Sequence, residues 1–243
     1  MHFETASTSL QGDRRENQDR CAVLEDGPAI LLLLADGMGG HARGDLAAAS
    51  FIDSLTRGFP AHRELAAAKF LQRAFAVAHD DINTAGSAAR PPVEPHTTGV
   101  ACLITGATAC WAHVGDSRLY LLRDDRVLAR TRDHSFVEEL VKLGELAESE
   151  RDTHPLRNHL TRALGGTRPP QVSVSDDTRL QPGDVLLLCS DGLWAAQNEE
   201  QLMKLVQAES LQHCVGRLAS TAVASSSPAS DNATLVALRY NAD

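Results

Sequence analysis

Short runs of valine, leucine and isoleucine, separated by turn-forming residues, recur along the chain and predict β-strands. The predicted strands cover residues 20–25, 30–35, 100–105, 109–114, 119–123, 127–131, 172–175, 185–189 and 234–239. Residues 105–107 and 123–125 separate neighbouring runs by so little that they predict hairpin turns. The chain is therefore expected to be rich in antiparallel strands.

Apolar residues at intervals of three and four predict helices over residues 46–56, 64–85, 199–208 and 211–224. His134 and Ser135 follow a predicted strand and suit the cap of a helix that begins near Phe136. Strands and helices without strict alternation predict an α+β fold. Residues 143–166 are polar, with weak periodicity, and are interpreted as a flap.

Composition limits the classes of function. The 243 residues, 43% of them hydrophobic, suffice for one domain that spans residues 1–243. The net charge of -9 argues against a nucleic-acid partner, which would require basic surfaces. The five scattered cysteines indicate a reducing compartment, and the first residues do not resemble a signal peptide. The longest apolar run, residues 29–35, is too short for a bilayer, so we expect a cytoplasmic protein without a membrane partner. A monomer is taken as the default oligomeric state.

Two stretches of sequence resemble each other. Residues 31–37 and 186–192 are both apolar runs that end abruptly in Asp-Gly, at Asp36 and Asp191. An aspartate at the end of a buried strand is costly unless its charge is satisfied, and the following glycine allows its carbonyl to approach an ion. Together with Asp19, such ends could form a carboxylate cluster that Mg²⁺ or Mn²⁺ would neutralise. Any single Asp-Gly pair is more often an ordinary turn, and the Asp231-Asn232 pair could likewise be only a turn or a cap, so the prediction depends on the combination.

Eight segments in order resemble the motifs of the protein phosphatase 2C-like family, the PPM phosphatases, in its compact bacterial form. They are RRENQD (14–19), LADGMGGH (34–41), TTGV (97–100), VGDSR (114–118), RDHS (132–135), NHLTRALG (158–165), LCSDGLW (188–194) and SDNAT (230–234). The resemblance implies a four-layer αββα sandwich: two antiparallel sheets, a helix pair outside each, and a metal centre at one end.

The resemblance also implies a set of metal ligands. Asp36 is expected to bridge two Mn²⁺ or Mg²⁺ ions, with the Gly37 carbonyl on one ion and Asp191 and Asp231 on the other. Asp19 is expected to orient water at the ions, either as a ligand or from behind the ligands. A water activated by the ions would then attack phosphorus in line, without a covalent phosphoenzyme.

Two further residues align with catalytic positions. Arg14 matches the family's phosphate-binding arginine, and its guanidinium suits a phosphomonoester, whereas the adjacent Arg15 is interpreted as a solvated or structural charge. His41 either protonates the leaving alkoxide or only hydrogen-bonds its loop. Met38 stands where animal relatives have a histidine, so their general acid cannot be transferred.

A third metal site is doubtful. Asp116 resembles a ligand of a weaker third ion in bacterial members, where its partner would be Asp191. Many relatives carry an acidic residue four positions after that aspartate, but this chain has Ala195 there. Asp116 could instead be structural, capping a turn before Ser117.

The expected function is removal of phosphate from phosphoserine and phosphothreonine in proteins, in opposition to a separate bacterial serine/threonine kinase. One alternative is a pseudophosphatase scaffold, which would require loss of metal ligands. Another is the same chemistry directed at a regulatory partner of the anti-sigma-antagonist type. The acidic residues and Arg14 are all present, which favours an active enzyme.

Overall fold

The computed structural model describes residues 2–38 and 43–241. These residues form two β-sheets, of which the larger has seven strands. Along this sheet the order is β10-β6-β5-β3-β2, while β4 pairs with β3 and β9 with β6; all the pairings are antiparallel. The bounds are β2 (Asp19–Asp26), β3 (Ala29–Met38), β4 (His96–Thr97), β5 (Gly99–Thr105), β6 (Thr108–Val114), β9 (Ser173–Val174) and β10 (Thr178–Arg179).

The second sheet has five antiparallel strands in the order β1-β12-β11-β7-β8. Their bounds are β1 (His2–Leu10), β7 (Arg118–Arg123), β8 (Arg126–Arg130), β11 (Val185–Cys189) and β12 (Ala233–Asn241). The two predicted hairpins are confirmed, since β5 joins β6 and β7 joins β8 through short turns. Strand β1 was not predicted.

Six α-helices lie in the described ranges: α1 (Gly44–Gly58), α2 (Ala67–Ala88), α3 (Phe136–Leu143), α4 (Asp191–Trp194), α5 (Glu199–Leu202) and α6 (Leu211–Ser226). The predicted cap of α3 is confirmed, because the Ser135 side chain accepts from the Glu138 amide. The prediction of one helix over residues 199–208 was wrong. Helix α5 is short and continues as a 3-10 turn, Met203–Leu205, which buries Leu205.

The elements stack in four layers. Alternate side chains of β3 face opposite ways: Leu31 and Leu33 pack against α1 and α2, while Leu32 and Leu34 pack against the five-stranded sheet. The outer face of the five-stranded sheet is covered by α6 and the short elements that precede it. This confirms the α+β sandwich and its two antiparallel sheets. The expected second helix pair is reduced to one long helix, α6, with the short α4 and α5 beside it.

Two observations bear on the compartment and the membrane. All five cysteines are unpaired, and three of them are buried in the core. Among residues 2–38 and 43–241, none of the helices has both the length and the apolar character that a bilayer crossing demands.

Candidate metal centre

The end of β3 places Asp36 beside Asp19. These two residues are direct partners in the antiparallel β2-β3 ladder, so their side chains lie on the same face of the sheet. The Asp36 amide donates to Thr98 Oγ1 at 3.0 Å, and its carbonyl accepts from the Thr98 amide at 2.9 Å and Thr97 Oγ1 at 2.8 Å. With its backbone fully paired, Asp36 has a fixed position from which its carboxyl lines a cavity.

Gly37 is required by close packing. A Cβ at this position would stand 2.2 Å from the carbonyl oxygen of Gly44, at the start of α1. The Gly37 amide also donates to the Gln18 carbonyl at 3.3 Å. The glycine thus brings the end of β3, the start of α1 and the loop before β2 together at the site.

Asp191 reaches the same cavity from the other sheet. It is the first residue of α4, and Ser190 alone separates it from the end of β11. The preceding Ser190 is fully buried; its Oγ donates to Asp19 Oδ2 at 2.8 Å and accepts from the Thr234 amide at 3.0 Å. Ser190 therefore connects the Asp19 carboxyl of one sheet to β11 and β12 of the other.

Asp231 and Arg14 form an ion pair at the rim. Arg14 Nη2 donates to Asp231 Oδ2 at 2.6 Å, and the Asn232 amide donates to Asp231 Oδ1 at 2.8 Å. The Asn232 side chain accepts from the Gln18 amide at 2.9 Å and donates to the Gln11 carbonyl at 2.7 Å. Asn232 therefore ties the loop that carries Arg14 to the start of β12, a role that the sequence prediction missed.

These residues surround one cavity of about 660 Å³. Of the predicted site residues, Asp19 lies buried behind the wall and the others that are described line the cavity. His41 lies outside the described residues, so its predicted role stays a prediction. The lining consists of Arg14, Arg15, Glu16, Gln18, Asp36, Gly37, Met38, Asp116, Asn158, Leu160, Asp191, Asp231 and Asn232.

The carboxyls strongly perturb one another. Burial raises the pKa of Asp36 well above its usual range, and the charges of Asp19, Asp191, Asp116 and Asp231 raise it further. Burial, with the charge of Asp231 added, raises the pKa of both Asp19 and Asp191 to about 6. For Asp116, burial and then the charge of Asp191 raise the pKa in the same direction. A site of this kind gains stability from any bound positive charge.

The donors fit hard divalent cations. They are oxygens throughout, and one of them, Asp19 Oδ1, is buried without a hydrogen-bond partner. In the described ranges, no three His, Cys, Asp or Glu side chains form a closed ligand set around one point. The Asp231 carboxylate accepts hydrogen bonds from the Arg14 side chain and the Asn232 backbone amide. The cluster thus supplies the charge and the donor type that Mg²⁺ or Mn²⁺ requires.

Asp116 is held by its backbone at the wall of the cavity. Its carbonyl accepts from Trp194 Nε1 at 3.0 Å. The Arg118 guanidinium lies 3.6 Å from the centre of the Trp194 ring and is paired with Asp133 at 2.8 and 2.6 Å. Ala195 follows directly and provides no further carboxylate. The expectation that Ala195 weakens a third metal site at Asp116 therefore stays a prediction.

Comparison with known proteins supplies a family and a fold. Residues 8–232 match the family model described as protein phosphatase 2C. The serine/threonine phosphatase stp of Listeria innocua is 32% identical over 204 residues, which cover 81% of this chain and 79% of the relative.

Solved structures agree with that match. A serine/threonine phosphatase of S. agalactiae superimposes with a TM-score of 0.87 at 28% identity, covering 99% of this chain and 100% of that one. The catalytic domain of the serine/threonine protein phosphatase PstP, solved in complex with 2 manganese ions, gives a TM-score of 0.82 at 30% identity. That alignment covers 99% of both chains.

Proposed function

Because this chain belongs to the protein phosphatase 2C family, we propose that its aspartate cluster is the metal centre at which it dephosphorylates proteins. The chain is a metal-dependent serine/threonine phosphatase, and its family uses manganese or magnesium. The observation that carries the assignment of the site is the convergence of Asp36, Asp116, Asp191 and Asp231 on one cavity with Arg14 at its rim.

Four groups are assigned to the two ions. Asp36 would be shared between them, the Gly37 carbonyl would complete one side, and Asp191 and Asp231 would complete the other. When bound, two divalent cations neutralise the phosphate oxygens and lower the pKa of water. The buried Asp19, with its unpartnered Oδ1, would orient water from behind Asp36.

Arg14 is assigned to the phosphate of the substrate. Its side chain is 60% exposed at the rim, and its pairing with Asp231 places the guanidinium directly beside the carboxylates. A guanidinium fork can donate two hydrogen bonds to phosphate oxygens. Arg15 lines the same cavity and would add positive potential at the entrance.

The cellular setting of the enzyme is inferred from its family, its cysteines and its net charge. The substrates are phosphorylated proteins, and the natural counterpart of such an enzyme is a separate serine/threonine kinase. Five unpaired cysteines are typical of a reducing compartment, which supports action in the cytoplasm. The net charge of -9 disfavours nucleic acid as a partner. We take the active unit to be a monomer, since residues of a single chain complete the lining of the cavity.

The direct test is hydrolysis of a phosphothreonine peptide by the purified protein with Mn²⁺, with Mg²⁺ and with a chelator. Activity is expected with either metal and should vanish with the chelator. Asp36→Ala should abolish hydrolysis, whereas the matched surface variant Asp176→Ala, outside the cavity lining, should leave it unchanged. Full activity of Asp36→Ala, or inactivity of the wild type with every metal, would overturn the assignment.

A further inference from the structure

His134 is a buried histidine that binds the backbone of Gly115, the residue directly before Asp116. The His134 amide donates to the Gly115 carbonyl at 2.9 Å. In return, the Gly115 amide donates to His134 Nδ1 at 3.1 Å. The backbone and the ring of one residue thus satisfy both polar groups of the Gly115 backbone, which is buried as well.

The imidazole of His134 is held in one orientation. Its face stacks on His113, with 4.5 Å between the ring centroids and 14° between the planes. Because Nδ1 accepts from Gly115, the ring proton lies on Nε2, which donates to Ser173 Oγ at 2.8 Å. Burial, with the charges of His113 and Arg162 added, lowers the pKa of His134 to about 3. The ring is therefore neutral, and Nδ1 stays an acceptor.

The backbone at Gly115 depends on such a contact. Its φ of +99° lies in the left-handed region, and a Cβ would stand 2.7 Å from Thr98 Cγ2, so the position suits glycine alone. A glycine has more backbone freedom than any other residue and needs neighbours to restrict it. On the far side, the Asp116 carbonyl accepts from Trp194 Nε1 at 3.0 Å. His134 therefore controls how the chain enters Asp116, and Trp194 how it leaves.

His134 also binds a second part of the cavity wall. Its carbonyl accepts from the Thr161 amide at 2.8 Å, and the next residue, Ser135, forms a β-bridge with Leu160. Leu160 lines the metal-centre cavity together with Asp116. One buried residue thus joins two parts of the cavity wall that are distant in sequence.

We propose that His134 is a positioning residue for the phosphatase reaction, which holds Gly115 so that the Asp116 carboxyl faces the metal centre. The inference rests on the proposed function, because it concerns the same cavity. A histidine that only stabilised the fold would change activity to the same degree with or without the Asp116 carboxyl. A positioning residue acts through Asp116, so its removal matters only while that carboxyl is present.

The contact itself is tested by amide hydrogen exchange, measured by NMR on the full chain in the presence of a chelator. His134→Phe keeps a ring that can stack and removes both nitrogens, so the Gly115 amide should exchange about tenfold faster than in the wild type. In His134→Asn the side-chain oxygen can take the place of Nδ1, and exchange should stay within about threefold of the wild type. Equal exchange in the wild type and His134→Phe would overturn the proposal.

A double-mutant cycle tests the function, with steady-state hydrolysis of a phosphothreonine peptide at saturating Mn²⁺. His134→Phe and Asp116→Asn should each lower kcat/KM about tenfold, and the double variant should be within about twofold of Asp116→Asn alone. His134→Asn should stay within about threefold of the wild type. Multiplied losses in the double variant, or full activity of Asp116→Asn, would overturn the proposal while the wild type is active. An inactive wild type would contradict the proposed function and this inference with it.

His79 provides the matched control. It is also buried, and its Nδ1 accepts from the Gly165 amide at 3.1 Å, but neither residue lines the metal-centre cavity. His79→Phe removes the same kind of contact elsewhere, so any loss of kcat/KM should be equal with and without the Asp116 carboxyl. A dependence on Asp116 as strong as that of His134→Phe would overturn the proposal.

A second variant covers the case in which His134→Phe fails to fold. His134→Gln has a longer side chain, whose amide can reach Ser173 but leaves the Gly115 amide without its acceptor. It should give the same faster exchange of Gly115 and the same dependence on Asp116 in the cycle. Wild-type exchange and wild-type kcat/KM in His134→Gln would overturn the proposal.

Discussion

The two Asp-Gly strand ends look alike in sequence and differ in structure. Strand β3 continues through Asp36 to Met38, because β2 lies on one side and β4 pairs with its last residues on the other. Strand β11 ends at Cys189, and Asp191 begins α4. Ser190 stands at the position of a helix cap, but its hydroxyl serves Asp19 instead of the helix. Neighbouring strands, rather than the local pattern, therefore determine whether an Asp-Gly pair extends a strand or starts a helix.

The two strand ends bring their aspartates to the site from different sheets. Asp36 comes from the seven-stranded sheet with a backbone fixed by Thr98, and Asp191 comes from the five-stranded sheet on a helical turn. Both carboxyls reach one cavity. A similar sequence device, used once in each sheet, thus delivers charge from both sides of the sandwich.

The largest expected effect is on catalysis. Asp36→Asn should lower kcat/KM about a thousandfold, or ~4 kcal/mol of transition-state stabilisation, because Asp36 lies among the other four carboxyls. Asp191→Asn should cost about a hundredfold, since Asp191 is assigned to one ion only. Steady-state hydrolysis of p-nitrophenyl phosphate across a Mn²⁺ titration measures both. Equal losses would show that the two strand ends are equivalent.

The second prediction compares the glycines. Gly37→Ala and Gly192→Ala should each destabilise the fold by about 1–3 kcal/mol, because the added Cβ would meet backbone atoms. The nearest are the Gly44 carbonyl at 2.2 Å and the Asn232 carbonyl at 2.1 Å. Gly216→Ala in α6 is the matched control: its Cβ meets nothing within 4 Å, and it should stabilise by about 0.5–1 kcal/mol. Urea unfolding measures these changes in the free energy of unfolding. If Gly37→Ala or Gly192→Ala were as stable as the wild type, the packing argument for that glycine would be wrong.

The third prediction reverses the usual effect of losing an active-site residue. In the presence of a chelator, Asp191→Asn should be more stable than the wild type by on the order of 1–2 kcal/mol, since a buried carboxyl crowded by Asp231 and Asp19 is replaced by a neutral amide. Thermal unfolding with and without Mn²⁺ measures this. The variant should also gain less stability from Mn²⁺ than the wild type does. A chelator-treated variant less stable than the wild type would count against mutual repulsion in the cluster.

The smallest expected effect is a pH dependence with a definite sign. Asp19 and Asp191 have a folded pKa of about 6 against an ordinary value of 3.8, so the folded, chelator-treated protein binds more protons than the unfolded chain between these values. Its stability should therefore fall as pH rises from the ordinary value through about 6, and the loss should be complete above that range. The contribution is fully present below the ordinary value. Asp191→Asn should flatten the profile, and a rise in stability over this range would contradict the assignment.

Much of the fold was visible in the sequence because most strands are apolar on both faces. Strand β11 was predicted at its observed bounds, and β3 differs only at its ends. Strand β1 was missed because its sequence, HFETASTSL, is rich in threonine and serine and has little apolar periodicity. It is an edge strand whose position is set by its ladder with β12, which spans all nine of its residues. Long-range pairing of this kind leaves no local signal.

The site was likewise predicted only in part from the sequence. The aspartates could be predicted from strand ends and from the resemblance to a family. The tethers could not, since Ser190 and Asn232 act through partners distant in sequence, such as Asp19 and Gln18. Their adjacency to Asp191 and Asp231 is the one signal that was available. The pairing of Arg14 with Asp231 likewise depends on the tertiary fold.

Because the carboxylates are divided between the two sheets, catalysis requires both sheets to be assembled. One portion of the chain carries Asp19 and Asp36, and a later portion carries Asp191 and Asp231. Expressed as separate fragments, each would be inert, and phosphate release would appear only in proportion to their reassociation. The metal centre could thus serve as an enzymatic read-out in a split-protein assay, with a signal that depends on both halves.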